Sequence, residues 1–117
     1  MNIQRYHVGP RMSQAATYNG FAFLAGQVAD NADGTSVAEQ TADILKQIDA
    51  LLAEVGSDKT RILSTTIWLA DISTFSEMNA VWDSWVPAGH TPARATVEAK
   101  LAAPQYKIEI GIIAAQK

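Results

Sequence analysis

The sequence predicts a mixed α/β (α+β) fold, a six-stranded sheet with two helices on one face in the order β-β-β-α-β-α-β-β. Three observations carry that prediction. Two segments place apolar residues at three- and four-residue spacing, six shorter ones have strand character, and Gly and Pro are scattered with no linker-like cluster. The 117 residues therefore read as a single domain spanning 1–117, long enough to bury one core without staples.

Segment 3–8 has Ile3, Tyr6 and Val8 as its apolar members and ends at Gly9-Pro10, the pattern of a short edge strand. Ser13 to Tyr18 and Phe21 to Val28 flank Asn19-Gly20, the dipeptide suited to a two-residue hairpin turn, where both central positions need positive φ. After a polar loop, Ser36 and Glu39 form a capping-box pattern that opens a helix. Its stripe is Thr41, Ile44, Leu45, Ile48, Leu51, Leu52 and Val55, and Gly56 stands where a left-handed cap belongs. Ile62 to Leu69 reads as a strand with Leu63, Thr65, Ile67 and Leu69 on one face and Ser64, Thr66 and Trp68 on the other. Thr74 and Glu77 suggest a second capping box, before a helix whose stripe is Phe75, Met78, Val81, Trp82 and Trp85. Ala93 to Leu101 alternates Ala93, Ala95, Val97 and Ala99 against Arg94, Thr96, Glu98 and Lys100, and Lys107 to Ala115 sets Ile108, Ile110 and Ile112 on one face. Strand 62–69, helix 75–85 and strand 93–101 form a parallel crossover unit.

With both helices on one side, the other sheet face is expected to carry Arg94, Thr96, Glu98, Glu109, Ser64, Thr66 and Trp68. An exposed Trp68 there would call for burial by another subunit.

Composition removes several function classes. The absence of cysteine excludes a disulfide scaffold, a thiolate nucleophile and thiolate-ligated metals, and it fits a reducing compartment, so a cytoplasmic location is expected. Nine basic against twelve acidic residues leave a net charge of −3, without the positive excess that binds phosphate backbones, so nucleic acid is not the expected partner. The stretch Met1-Asn2-Ile3-Gln4-Arg5 has no apolar leader core, and no apolar run approaches the ~18 residues of a membrane span. A soluble, untargeted chain with no membrane partner is the expectation.

No Walker loop, dinucleotide fingerprint, G-x-S-x-G elbow or H-E-x-x-H motif occurs. His7 and His90 lie far apart in the chain without ligand spacing, so no metal site is expected. Arg94 follows Thr91-Pro92-Ala93 at the start of a strand, where a rigid turn would aim its guanidinium; such a group binds a carboxylate through two parallel hydrogen bonds. A structural salt bridge is the competing reading. Glu109, flanked by isoleucines, would hold or deprotonate a water if partly desolvated, or would serve as an interface acceptor.

The segments Arg11-Met12-Ser13-Gln14-Ala15, Ala25-Gly26-Gln27-Val28, Met78-Asn79-Ala80-Val81-Trp82, Pro92-Ala93-Arg94-Ala95-Thr96-Val97-Glu98 and Lys107-Ile108-Glu109-Ile110 follow in order along nearly the whole chain. Together they resemble the RidA family of reactive-intermediate imine deaminases, the YjgF-like proteins. The stretch Trp82 to His90 looks most like the short YoaB-like branch.

That resemblance implies a chorismate-mutase-like fold and a homotrimer. The last strand would lie beside strand 62–69, and ligand clefts would lie between subunits. It implies hydrolysis of 2-aminoacrylate and 2-iminopropanoate to a 2-keto acid and ammonia, with no cofactor and no metal. Arg94 would clamp the substrate carboxylate and Glu109 would activate the attacking water. Gly26 and the main chain near Thr96 would line the pocket, and Asn79 would hold the neighbouring loop. Met12, Ala25 and Thr96 depart from the tyrosine, serine and cysteine or serine common in the deaminase branch. A non-catalytic trimeric binder of small 2-keto or 2-imino acids is the alternative. A nuclease or translation-associated role is a third, against which the net charge speaks.

Overall fold

The computed structural model describes residues 2–117; Met1, at the head of the stretch read for a leader, lies outside them. Strand β1 (Gln4–Tyr6) runs antiparallel to β2 (Ala15–Tyr18), which turns through Asn19-Gly20 into β3 (Phe21–Gln27). Both turn residues have positive φ, 52° and 83°, as a two-residue hairpin requires. Helix α1 (Val37–Glu54) opens on the expected capping box. The Ser36 hydroxyl accepts from the Glu39 N–H, and the Glu39 carboxylate accepts from the Ser36 N–H. Its whole expected stripe from Thr41 to Val55 is buried. No helix among the described residues is long and apolar enough to cross a membrane.

Strand β4 (Ile62–Leu69), helix α2 (Phe75–Trp85) and strand β5 (Ala93–Glu98) form the crossover, with β4 and β5 parallel. Strand β6 (Ile108–Ala115) then returns into the middle of the sheet, antiparallel to both β3 and β4. The spatial order is β1-β2-β3-β6-β4-β5. Ile108, Ile110, Ile112 and Ala114 face the helices and are buried with Ile44, Ile48 and Leu52 in the core.

Four local expectations are overturned. Thr74 and Glu77 form no capping box, because the chain enters α2 through a 3-10 turn at Ile72–Thr74 and Thr74 already has near-helical dihedrals. The Thr74 hydroxyl donates to the Asp71 carbonyl, and the Glu77 carboxylate accepts from the Ala38 N–H, so it caps α1 instead. Leu63 is not in the core. A register shift between Ile62 and Ser64 against β6 inserts an extra residue there, leaving Ile62 buried and Leu63 45% exposed.

The faces of β5 are the reverse of those expected, and the strand stops at Glu98. Its register sets Arg94 beside Thr65, Thr96 beside Ile67 and Glu98 beside Leu69, and those β4 partners face the helices. Residues paired in register share a face. Arg94, Thr96 and Glu98 therefore lie under α2, while Ala93, Ala95 and Val97 join Ser64, Thr66, Trp68 and Glu109 on the open face. Alternation reveals that two faces differ; it does not say which one is covered. Trp68 is on the open face but half-buried, its ring lying where a Cβ on Gly111 would be 3.2 Å away. Large exposed apolar members of that face include Phe21, Phe23, Leu63, Val97 and Ile113.

Candidate functional site

The sequence-predicted residues gather into two groups. The first surrounds Glu109. The register of β3 with β6 shifts between Leu24 and Gln27, placing the extra residue at Ala25-Gly26. Gln27 turns inward and fixes the bulge by donating from Nε2 to the Ala25 carbonyl at 2.9 Å and to Gln14 Oε1 at 3.0 Å. Gly26 then lies directly beneath the Glu109 carboxyl. A Cβ there would fall 2.9 Å from Cδ and would overlap Oε2, so the missing side chain is the space the carboxylate occupies. Glu109 itself is half-buried. Gly26 also lines a groove of about 430 Å³ together with His7, Met12, Gln14, Val28 and Leu51 among others. Gly26 thus touches the Glu109 carboxyl and shares its groove with Met12.

The second group surrounds Arg94. Its guanidinium carbon lies 5.3 Å from the Trp82 ring centroid and 5.8 Å from that of Phe75, both on α2. Thr96 lies two residues along the same face of β5. Asn79 stands between Phe75 and Trp82 on α2, at the four- and three-residue spacings that share a helix face. The Oδ1 of Asn79 and the Oγ1 of Thr96 are buried without a hydrogen-bond partner, as is Oγ1 of Thr65, the register neighbour of Arg94. Asn79 makes no hydrogen bond to a neighbouring loop among the described residues.

Arg94 and Glu109 are not brought together. They sit on opposite faces of the sheet, and β4 lies between their strands, about 10 Å from one strand to the other. Among the described residues the ion pairs are His7–Glu54 and Lys117–Asp58, so neither Arg94 nor Glu109 has an internal counter-charge. The structural salt bridge that competed for Arg94 is absent from the described residues.

Two kinds of supporting residue had escaped the sequence reading. Gln40, fully buried on α1, donates from Nε2 to the carbonyls of Ala32 and Gln105 and accepts at Oε1 from the Lys107 N–H, tying the β5–β6 loop to the loop before α1. Its place in the stripe, three residues after Val37 and four before Ile44, was the available signal. Gln27 was the other, and nothing in its local pattern announces a bulge.

The chain is by its fold a helix-backed mixed-sheet α+β protein with one uncovered apolar sheet face. The family described as Endoribonuclease L-PSP matches residues 3–116, and the chain belongs to that family. It is 47% identical to the RutC family protein YoaB of Escherichia coli, over 98% of this chain and 99% of that protein. A solved YjgF-family structure from Neisseria meningitidis superposes with a TM-score of 0.96 at 51% identity, covering 100% of this chain and 97% of that one. Reactive Intermediate Deaminase A of Arabidopsis thaliana is 34% identical, over 92% of this chain and 59% of that protein. The resemblance carried by P-A-R-x-x-V-E and K-I-E-I is borne out.

Proposed function

We propose that the chain hydrolyses small 2-imino acids of the 2-aminoacrylate/2-iminopropanoate class to 2-keto acids and ammonia, acting as a homotrimer with its sites between subunits. One observation carries the reading. Arg94 and Glu109 are both half-buried, and among the described residues neither has an opposite charge to pair with. Partly desolvated charges without partners are costly, and a ligand carboxylate and a polarised water are the groups that would complete them.

The guanidinium of Arg94 binds the substrate carboxylate through two parallel hydrogen bonds and so orients C2. Glu109 accepts a proton from water as the water oxygen attacks C2 of the imine, giving a carbinolamine. That proton goes to nitrogen as the carbinolamine forms. The carbinolamine hydroxyl then gives up its own proton, which Glu109 relays to nitrogen as the C–N bond breaks, so that ammonia leaves and the 2-keto acid remains. The imine carbon is already electrophilic, so no covalent nucleophile is called for. Gly26 seats the carboxylate, while Thr96, Asn79 and Met12 border the ligand. Because Arg94 and Glu109 occupy opposite faces, one chain cannot offer both to one small acid. A cleft formed by the Arg94 side of one subunit and the Glu109 side of the next can, with Phe23, Ile113 and Val97 buried between copies.

The name Reactive Intermediate Deaminase A of the Arabidopsis relative supports this chemistry. The net charge of −3 speaks against RNA as substrate, despite the family's description. A non-catalytic binder of the same acids is favoured by one feature, the apolar Met12 side chain, 49% exposed in the groove beside Gly26.

The test is the rate of 2-keto acid release from freshly generated 2-iminopropanoate. Arg94→Ala should abolish the acceleration, and Glu109→Ala should lower it about 100-fold or more. Unfolding and reassembling the two inactive variants together should restore part of the activity, because some clefts then combine intact halves. No acceleration over the uncatalysed decay would overturn the proposal, and pyruvate binding without turnover would select the binder.

A further inference from the structure

Two aromatic rings, and no carboxylate among the described residues, hold Arg94. We infer that Phe75 and Trp82 are positioning residues, a two-ring seat that fixes the guanidinium while leaving its charge and its hydrogen-bond donors unspent. The inference rests on the carboxylate-binding role proposed above for Arg94. Both centroid distances, 5.3 Å to Trp82 and 5.8 Å to Phe75, fall within the range of cation–π attraction.

The two rings differ in how they are held. Trp82 is 5% exposed and packs against Trp85 with ring centroids 5.3 Å apart, so it is a fixed wall. Phe75, the first residue of α2, is 39% exposed and contributes little to the core. Its placement is set from β5 itself. The Glu98 carboxylate accepts from the Ile72 N–H at 3.0 Å, pinning the 3-10 turn that delivers Phe75 to the helix start. The strand that carries Arg94 thus also holds the ring above it.

The physical consequence follows from what a ring face does and does not take. An aspartate or glutamate would fix the guanidinium equally well, but it would neutralise the charge and occupy the N–H fork. Ring faces hold the guanidinium without accepting its N–H hydrogen bonds, and its five N–H groups remain for a planar ligand carboxylate. A lysine would lose the fork, and an aliphatic pair in place of the rings would lose the attraction. Seat and fork therefore belong together.

The test uses Phe75→Leu, which keeps bulk at an exposed position, with Phe75→Tyr as rescue and Trp82→Phe as a milder change at the buried ring. Two readouts are taken on the full chain, isotope-edited NMR of the Arg94 Nε–H without ligand, and KM against kcat for imine hydrolysis together with calorimetry of pyruvate binding. Phe75→Leu should shift the Arg94 Nε–H resonance and raise KM and the pyruvate Kd about two- to tenfold, the cost of ordering a long side chain that is no longer held, with kcat nearly unchanged. Phe75→Tyr should restore both, and Trp82→Phe should keep the ligand affinity near wild type. An unmoved resonance, an unchanged Kd in Phe75→Leu, or equal effects of Leu and Tyr would overturn the inference. If the wild-type protein neither binds pyruvate nor hydrolyses imines, the proposed function falls, while the resonance still decides whether the rings hold Arg94.

Discussion

Gly26→Ala displaces the Glu109 carboxylate without substituting Glu109 itself. The added methyl would overlap Oε2 and lie 2.9 Å from Cδ, whereas ordinary contact begins at 3.4 Å, so Cδ must retreat by about half an ångström and Oε2 by more. The atoms that yield are the end of a flexible side chain. Stability should therefore change little: an off-rotamer glutamate costs about 0.5–1.5 kcal/mol, against about 0.4–1 kcal/mol gained by restricting the unfolded chain. The net is within about 1 kcal/mol, a melting shift of no more than about 4–8 °C. Turnover should respond far more, since a misplacement of about 1 Å at a catalytic group can cost about 100-fold. Imine hydrolysis and thermal melts would be compared for Gly26→Ala, Glu109→Ala and the double variant. The double variant should be no slower than Glu109→Ala alone and should melt at least as high, because the clash is gone. Near wild-type turnover in Gly26→Ala, or a double variant much slower than Glu109→Ala, would show that Gly26 does not act through the carboxylate.

Three other outcomes are expected. Gln40→Leu strands the Lys107 N–H and two loop carbonyls, and should lower stability by about 2–3 kcal/mol, about 10 °C in a melt, if the three bonds act as a clamp. Phe23→Asp with Ile113→Asp, register partners on the open face, should leave the circular dichroism spectrum intact and yield monomers in sedimentation; a wild-type protein already monomeric at micromolar concentration would refute the covered face. The Ser73 hydroxyl and N–H hold the Asp71 carboxyl below the usual carboxylate range, so its contribution is full above that range and is lost as pH falls through the lower folded value. The melting difference between wild type and Asp71→Ala should accordingly shrink below about pH 4, and a difference constant with pH would contradict this.

Helix α1 was almost wholly legible, because its capping box, its stripe and Gly56 are local signals that agree. The Asn19-Gly20 turn was legible for the same reason. The insertion of β6 between β3 and β4 was not, since strand partners depend on contacts between distant segments, and only the family resemblance supplied it. Arg94 and Glu109 stand out by residue type and setting, yet the pattern does not show that they lie on opposite faces. The alternation in 93–98 is clear, but three small apolar residues on one face look like a core stripe only until α2 is seen to supply Phe75 and Trp82 to the other. Leu63 failed for a related reason. A single inserted residue moves every side chain before it to the opposite face, and nothing near Leu63 marks the bulge. The Thr74 pattern matched a cap by type, but caps require extended dihedrals that a preceding 3-10 turn removes.

The place of β6 has a consequence for the order of events during synthesis. Strands β3 and β4 do not pair with each other, so until β6 emerges the chain holds two separate sheet fragments, each with an unpaired inner edge. The ribosome delivers the joining piece after the other five strands of this sheet, and Glu109 rides on it. Closure of the sheet and arrival of the carboxylate above Gly26 are therefore one event: a nascent or truncated chain lacking β6 has neither a finished sheet nor half of the proposed site, and quality control that recognises open sheet edges would also remove the chains without it.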